Sequence, residues 1–273
     1  MRKFLFAALF LLLCANIFAQ SNANLTTSDG WVLAATYYRG KSAKCVILLP
    51  DLEKSRADFA ALTERLKEEE FCYLALDLRG HGYSTNKGTF ADFEKTGQKN
   101  DFNNMTEDIT AAMKYLKERG FDESSIYFLG AGLGANVAGK SLKKYPRIAG
   151  IAMLTPSLKQ RDVVTLSGIK GYKGPVFIGV SSEDRKQFME ASFIRNAAFL
   201  HSGKGKVTFV TAYNLKGTVM LDKYLLPTFI QWLKTPMLPE IKTDSVIMAE
   251  EPASDEQENG KDDEEPEDES DGD

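Results

Sequence analysis

Gly130-Ala131-Gly132-Leu133-Gly134 is the stretch that decides how this chain folds. It follows the apolar run Ile126-Tyr127-Phe128-Leu129 and leads into Ala135-Asn136-Val137-Ala138. That order predicts a buried strand, a sharp turn centred on Gly132, and a helix that returns along the strand. Glycine at the centre of a turn reaches positive φ without the Cβ penalty.

Outward from this unit, strands and helices alternate. Asp29-Gly30 marks a turn between a short segment near Leu25 and a strand over 31–38, so the chain enters through a β-hairpin. Val46-Ile47-Leu48-Leu49 is continuously apolar, as expected of a strand covered on both faces. Ser55 can cap a helix over 56–69, where Phe59, Leu62 and Leu66 recur at helical spacing. A buried strand over 72–76 follows, then a polar loop over 83–103 at the top edge of the sheet. The span 105–119 reads as a helix with Ile109, Met113 and Leu116 on one face and Gly120 as its stop. Beyond the central turn come a helix over 135–145, a strand over 148–154 and a connection through Gly174. A strand over 176–180, a helix over 186–200, a strand over 207–210 and a last helix over 221–234 complete the series. This alternation predicts an α/β fold with a mostly parallel central sheet and helices on both faces.

The 273 residues are 43% apolar, enough to bury one sizeable core with extra segments at the ends. At the N-terminus Arg2 and Lys3 precede an apolar run over 4–19 broken only at Asn16. A charged start and a short apolar run predict a signal peptide over 1–19, cut between Ala19 and Gln20, or after Ala23. The run is shorter than a membrane span usually requires. An uncleaved anchor is the alternative, and Leu13 before Cys14 disfavours lipidation. The protein is therefore expected to be exported, periplasmic or secreted, with membrane attachment only through those alternatives.

The folded domain is expected over 20–240 and an acidic tail over 241–273. Between Glu250 and Asp273 lie 14 acidic residues and one lysine, a net of −13, which leaves +9 on residues 1–249 out of a total of −4. Such a composition cannot bury enough apolar surface to offset ordering, so a disordered solubilising tail is expected. The functional alternative is an arm for basic partners, divalent cations or the domain's own basic face. The domain's excess charge is scattered, with a cluster at Lys140, Lys143, Lys144 and Arg147. No nucleic-acid motif accompanies it, and no nucleic-acid partner is expected. Cys45 and Cys72 begin two neighbouring strands, and buried thiols are favoured over a disulfide between them. No His/Cys/Asp cluster has metal-ligand spacing, and no metal or other cofactor is expected.

Three segments resemble the α/β-hydrolase family, in its lid-poor esterase, lipase and serine-aminopeptidase-like branch. Asp77-Leu78-Arg79-Gly80-His81-Gly82-Tyr83-Ser84 is similar to the D-x-R-G-H-G-x-S loop after the fourth strand. Gly130–Gly134 resembles the G-x-S-x-G nucleophile elbow. Lys216-Gly217-Thr218, followed by Leu221, resembles the H-G-T segment after the last strand. The resemblance spans about 25–233 and implies an α/β-hydrolase fold with a minimal lid and hydrolysis of carboxylic esters or small amides.

That chemistry requires a nucleophile, an acid and a base in this chain order. Gly132 stands at the nucleophile position, Asp184 at the acid position with Glu183 one residue away, and Lys216 at the base position. Two of the three functional groups are changed. His81 belongs to the R-G-H-G loop and reads as structural, and His201 reads as a cation at a helix C-terminus. Ser181 and Ser182 have no base placed beside them. The resemblance further implies an oxyanion hole from the backbone N–H groups of Leu52 and Leu133, with Asp51 putting a carboxylate beside it.

The leading expectation is therefore a pseudoenzyme, a catalytically degenerate member acting as a binding or interaction module, with Lys216 ion-paired to Asp184. Lys216 with the Leu52 and Leu133 N–H groups could instead hold a small anion. A working esterase, lipase or amidase using a nonstandard group is the alternative. The partners implied are a small anionic or ester-like ligand, or a protein.

Overall fold

The computed structural model describes residues 20–97 and 100–237. The expected signal peptide and the acidic tail lie outside the described residues.

Eight strands form one sheet in the order β1-β2-β4-β3-β5-β6-β9-β10. The entry hairpin, β1 (Gln20–Thr26) and β2 (Val32–Tyr38), pairs antiparallel, and β2 joins β4 (Cys72–Leu76) antiparallel. From β4 through β3 (Cys45–Leu49), β5 (Ile126–Ala131), β6 (Gly150–Leu154), β9 (Val176–Ser181) and β10 (Val207–Ala212), every pairing is parallel. The strands β3, β4, β5, β6 and β9 are buried along their whole length. Side-chain alternation divides their apolar residues between two cores. Cys45, Ile47, Leu49 and Phe128 face one side, while Val46, Leu48, Tyr127 and Leu129 face the other.

The first core is covered by α2 (Asp101–Lys117), α3 (Leu133–Ser141) and α5 (Arg185–Ser202), and the second by α1 (Ala60–Glu68) and α7 (Leu226–Lys234). The sheet with helices on both faces is as the strand–helix alternation predicts. Between β6 and β9 the chain adds a small hairpin, β7 (Lys159–Gln160) with β8 (Val163–Val164), and a short helix, α4 (Leu166–Ile169). These stand in what the sequence presents as a plain connection. The span is too short and irregular for any periodic signal.

Local chemistry moves several boundaries. Ser55 accepts from Ala57 N in a capping box with Asp58, but the first turn is 3₁₀ (Arg56–Phe59) and α1 starts only at Ala60. Helix α2 begins four residues before the expected 105, because the Asn100 side chain caps it by accepting from Asn103 N at 2.8 Å. The expected single helix over 221–234 is two pieces, a π-turn (Leu221–Leu225) and α7, and a short helix, α6 (Gly217–Met220), precedes them. Pro227 in the first turn of α7 has no N–H to continue the upstream ladder, so the backbone widens there.

Cys45 and Cys72 form a disulfide, correcting the expectation of two thiols. The β3–β4 register places them directly opposite each other on the same face, with Cα atoms 4.3 Å apart.

The loop Asp77–Ser84 is a knot of buried polar groups. Asp77 accepts from Arg56 N at 2.8 Å and Tyr83 N at 2.9 Å, and its carboxylate pairs with the Arg56 guanidinium. The fully buried Arg79 makes an ion pair with the equally buried Asp108 at 2.8 Å and with Asp29 at 2.6 Å. Ser84 Oγ donates to Asp77 O and accepts from Ala34 N, tying the loop to β2. His81 donates from Nδ1 to Arg79 O at 2.9 Å and stacks on Phe90. Burial lowers its pKa from the usual histidine value. The motif therefore organises the C-terminal edge of the sheet, where the site lies.

Candidate functional site

Strand β5 ends against the sheet edge, and Gly132 turns the chain into α3 with φ +48° and ψ −114°. Two of the neighbouring glycines fix how closely the helix approaches. A Cβ on Gly130 would meet the backbone of Gly134 and Ala135, and one on Gly134 would meet the carbonyls of Leu49 and Pro50. The strand, turn and helix pack backbone to backbone around a turn whose central residue, Gly132, carries no side chain.

The space above Gly132 is taken by Asp51. Asp51 Oδ1 accepts from Leu52 N at 2.7 Å and from Leu133 N at 2.7 Å. The two N–H groups expected to form the oxyanion hole thus converge on one oxygen, and that oxygen belongs to the chain itself. A Cβ at position 132 would overlap the Asp51 carboxyl group. The loop that presents Asp51 continues into Glu53 at φ +65°. Sequence reading marks Asp51 as an unwelcome charge near the hole. Its occupation of the hole depends on the turn and rotamer, which no local pattern reveals.

Asp184 and Lys216 are brought together. Lys216 Nζ donates to Asp184 Oδ2 at 2.6 Å. Asp184 also caps α5 by accepting from Gln187 N at 3.0 Å on its other oxygen. The Lys216 hydrogen bond, followed by that helix cap, holds the Asp184 carboxyl below the usual carboxylate range. The pair is partly exposed, with Lys216 at 59% and Asp184 at 27% side-chain accessibility, so screening by water keeps its energetic weight small.

Thr155, just past β6, seats the Lys216 segment. Its N–H donates to Gly179 O at 2.7 Å, and its Oγ1 accepts from Gly217 N at 3.0 Å. It does so at φ +48°, an outlier for a β-branched residue and a mark of local strain. The following loop is tied down twice. Asn136, buried in α3, accepts from Ser157 N at 3.0 Å, and Glu190 in α5 accepts from Leu158 N at 2.9 Å. The result is a polar recess of about 330 Å³ lined by Asp51, Gly132, Thr155, Ser157, Asp184 and Lys216, among others. Sequence reading missed Thr155, Ser157, Asn136 and Glu190, whose only signal is their position after a strand or along a helix.

The other residues weighed from sequence lie off this line. Ser181 is buried, its hydroxyl accepting from Glu183 N at 3.3 Å, while Ser182 and Glu183 are exposed. Glu183 makes no ion pair with Lys216, which spends its bond on Asp184. His201 stands in the last turn of α5, about 25 Å from the Asp184 cap at 1.5 Å per residue. Among the described residues no group of His, Cys, Asp and Glu is arranged to hold a metal ion.

Solved structures share this architecture. An esterase from Pyrococcus furiosus superposes with a TM-score of 0.66 at 19% identity, covering 81% of this chain and 92% of its own. A putative α/β-hydrolase from Agrobacterium tumefaciens gives 0.63 at 15% identity over 81% and 100%. An esterase from Exiguobacterium antarcticum gives 0.60 at 14% over 79% and 100%. At these identities the likeness establishes the fold. No curated protein matches the chain. A family model described as serine aminopeptidase, S33, matches residues 40–180, about half of the chain, from before β3 into β9. On that match and this architecture, the chain belongs to the serine aminopeptidase S33 family of α/β-hydrolase-fold proteins.

Proposed function

We propose that this protein is an exported, catalytically degenerate member of its family that acts as a binding or interaction module. One observation carries the reading: the Asp51 carboxylate accepts from both Leu52 N–H and Leu133 N–H and fills the volume that a nucleophile at position 132 would need. Acyl transfer needs those donors free for the oxyanion that develops in the transition state. It also needs an activated nucleophile, and Gly132 supplies none. Lys216, at the base position, is a cation bonded to Asp184. An anion pocket built from Lys216 and the two N–H groups is disfavoured for the same reason, since the chain's own carboxylate satisfies the donors. What the recess offers a ligand is polar: the Lys216–Asp184 pair with Thr155 and Ser157 at one side. Export rests on the charged start and apolar run of residues 1–19.

The test is p-nitrophenyl acetate and butyrate hydrolysis by the purified chain, with fluorophosphonate labelling alongside. No turnover above buffer and no label are expected. Turnover that Lys216→Ala or Asp184→Ala abolishes would establish a working hydrolase with a nonstandard group and end this reading. Mass analysis of the periplasmic and secreted fractions tests export, with a mature chain starting at Gln20 or Asn24 expected.

A further inference from the structure

The lysine cluster noted in the sequence, which the site above does not use, surrounds a second recess. This recess of about 500 Å³ lies between α2, the C-terminal end of α3 and α4. Lys140, Lys143 and Lys144 line it together with Ser141, Thr106 and Ser167. Asp162 is the acidic residue on its wall, and it bonds Lys159 at 3.0 Å and Gly97 N at 2.6 Å.

The lysines are poorly compensated. Lys140 is half-buried, and its ammonium donates only to Asn103 O at 3.1 Å and Asn103 Oδ1 at 2.7 Å, with no carboxylate paired to it among the described residues. Burial lowers its pKa from the usual lysine value. The Lys143 side chain makes no hydrogen bond or ion pair among the described residues, while its backbone N–H donates to Lys140 O at 3.3 Å. Lys144 bonds Thr110 Oγ1 at 2.8 Å, and its contact with Glu107 is long, at 3.4 Å. A half-buried ammonium bonded only to neutral acceptors, with no counter-charge beside it, carries a desolvation cost that a bound anion offsets.

We infer that this recess binds a phosphate group, free or as a monoester. A tetrahedral dianion offers several acceptor oxygens, which suits three ammonium groups and neighbouring hydroxyls better than a planar carboxylate does. The volume exceeds one phosphate and leaves room for an organic substituent. The site is separate from the degenerate elbow, so the inference stands whether or not that reading does.

The purified full chain is titrated with sodium phosphate, with sodium chloride at matched ionic strength as the control. Melting temperature and ³¹P line width are followed. A saturable rise of about 3 °C at 10 mM phosphate is expected, with none in chloride. Lys143→Gln/Lys144→Gln, both exposed positions, should weaken binding at least tenfold without changing the melting temperature of the phosphate-free protein. Lys140→Met should abolish it. Glycerol 3-phosphate binding more tightly than phosphate identifies a monoester site, and equal binding identifies a site for the free anion. A rise matched by chloride, or saturable binding that survives both variants, overturns the inference.

Discussion

At the scale of single residues, Asp51 and Gly132 are one feature. The glycine has no Cβ, the carboxylate occupies the space left, and two N–H groups hold it there. Gly132→Ser should therefore destabilise the fold by about 2 kcal/mol, through overlap and the positive φ together. Most of that loss should disappear in an Asp51→Gly background. Urea denaturation of the four proteins in the cycle checks this, and an additive result would mean the two positions are not coupled. The Lys216–Asp184 bond makes a second prediction. Asp184 has a lowered pKa, so its bonded, charged form is present at neutral pH and is lost as pH falls through that lowered value. Carboxyl-carbon NMR should find Asp184 titrating below ordinary aspartates, and shifting up in Lys216→Met. The positions of Asp184 and Lys216 were legible because each follows a strand at a known offset. The plugging by Asp51 was not, because it depends on how the 51–53 turn directs one carboxyl group.

At the scale of elements, the loop Asp77–Ser84 ties the sheet edge to β2 and α2. Arg79 is buried with Asp108, and removing that partner leaves a buried cation short of its fully buried counter-charge. Asp108→Ala should cost about 3 kcal/mol, measurable by thermal and urea unfolding. A change under about 0.5 kcal/mol would show that Asp29 and Asp101, whose carboxylate lies 3.3 Å from the guanidinium, suffice for Arg79. The motif was readable as a string, but its partner was not, since Asp108 lies in α2, 29 positions away from Arg79. The same difference runs through the fold. Strands such as Val46–Leu49 and helices with regular apolar spacing announce themselves. The hairpin β7–β8, the Asn100 cap and the π-turn before Pro227 depend on single polar or cyclic residues that leave no periodic trace. The Cys45–Cys72 disulfide belongs here too, because it follows from the β3–β4 register rather than from either strand alone.

At the scale of the whole molecule, the proposed reading is that the chain keeps the sheet, the elbow and the sheet-edge loop while the groups at the catalytic positions differ. On the proposed reading the scaffold holds its shape without the chemistry, since the close packing at Gly130 and Gly134 is against backbone and does not depend on a side chain at position 132. Restoring side chains alone should then be insufficient. Gly132→Ser with Lys216→His puts a nucleophile and a base on the scaffold but leaves Asp51 in the oxyanion hole. Adding Asp51→Gly empties it. The most direct test compares fluorophosphonate labelling and p-nitrophenyl acetate turnover across wild type, that double variant and the triple variant, each verified as folded by circular dichroism. The account predicts no labelling of wild type, none or a trace in the double variant, and clear labelling with measurable turnover once Asp51→Gly is added. Equal labelling of folded double and triple variants, or turnover by wild type itself, would contradict it.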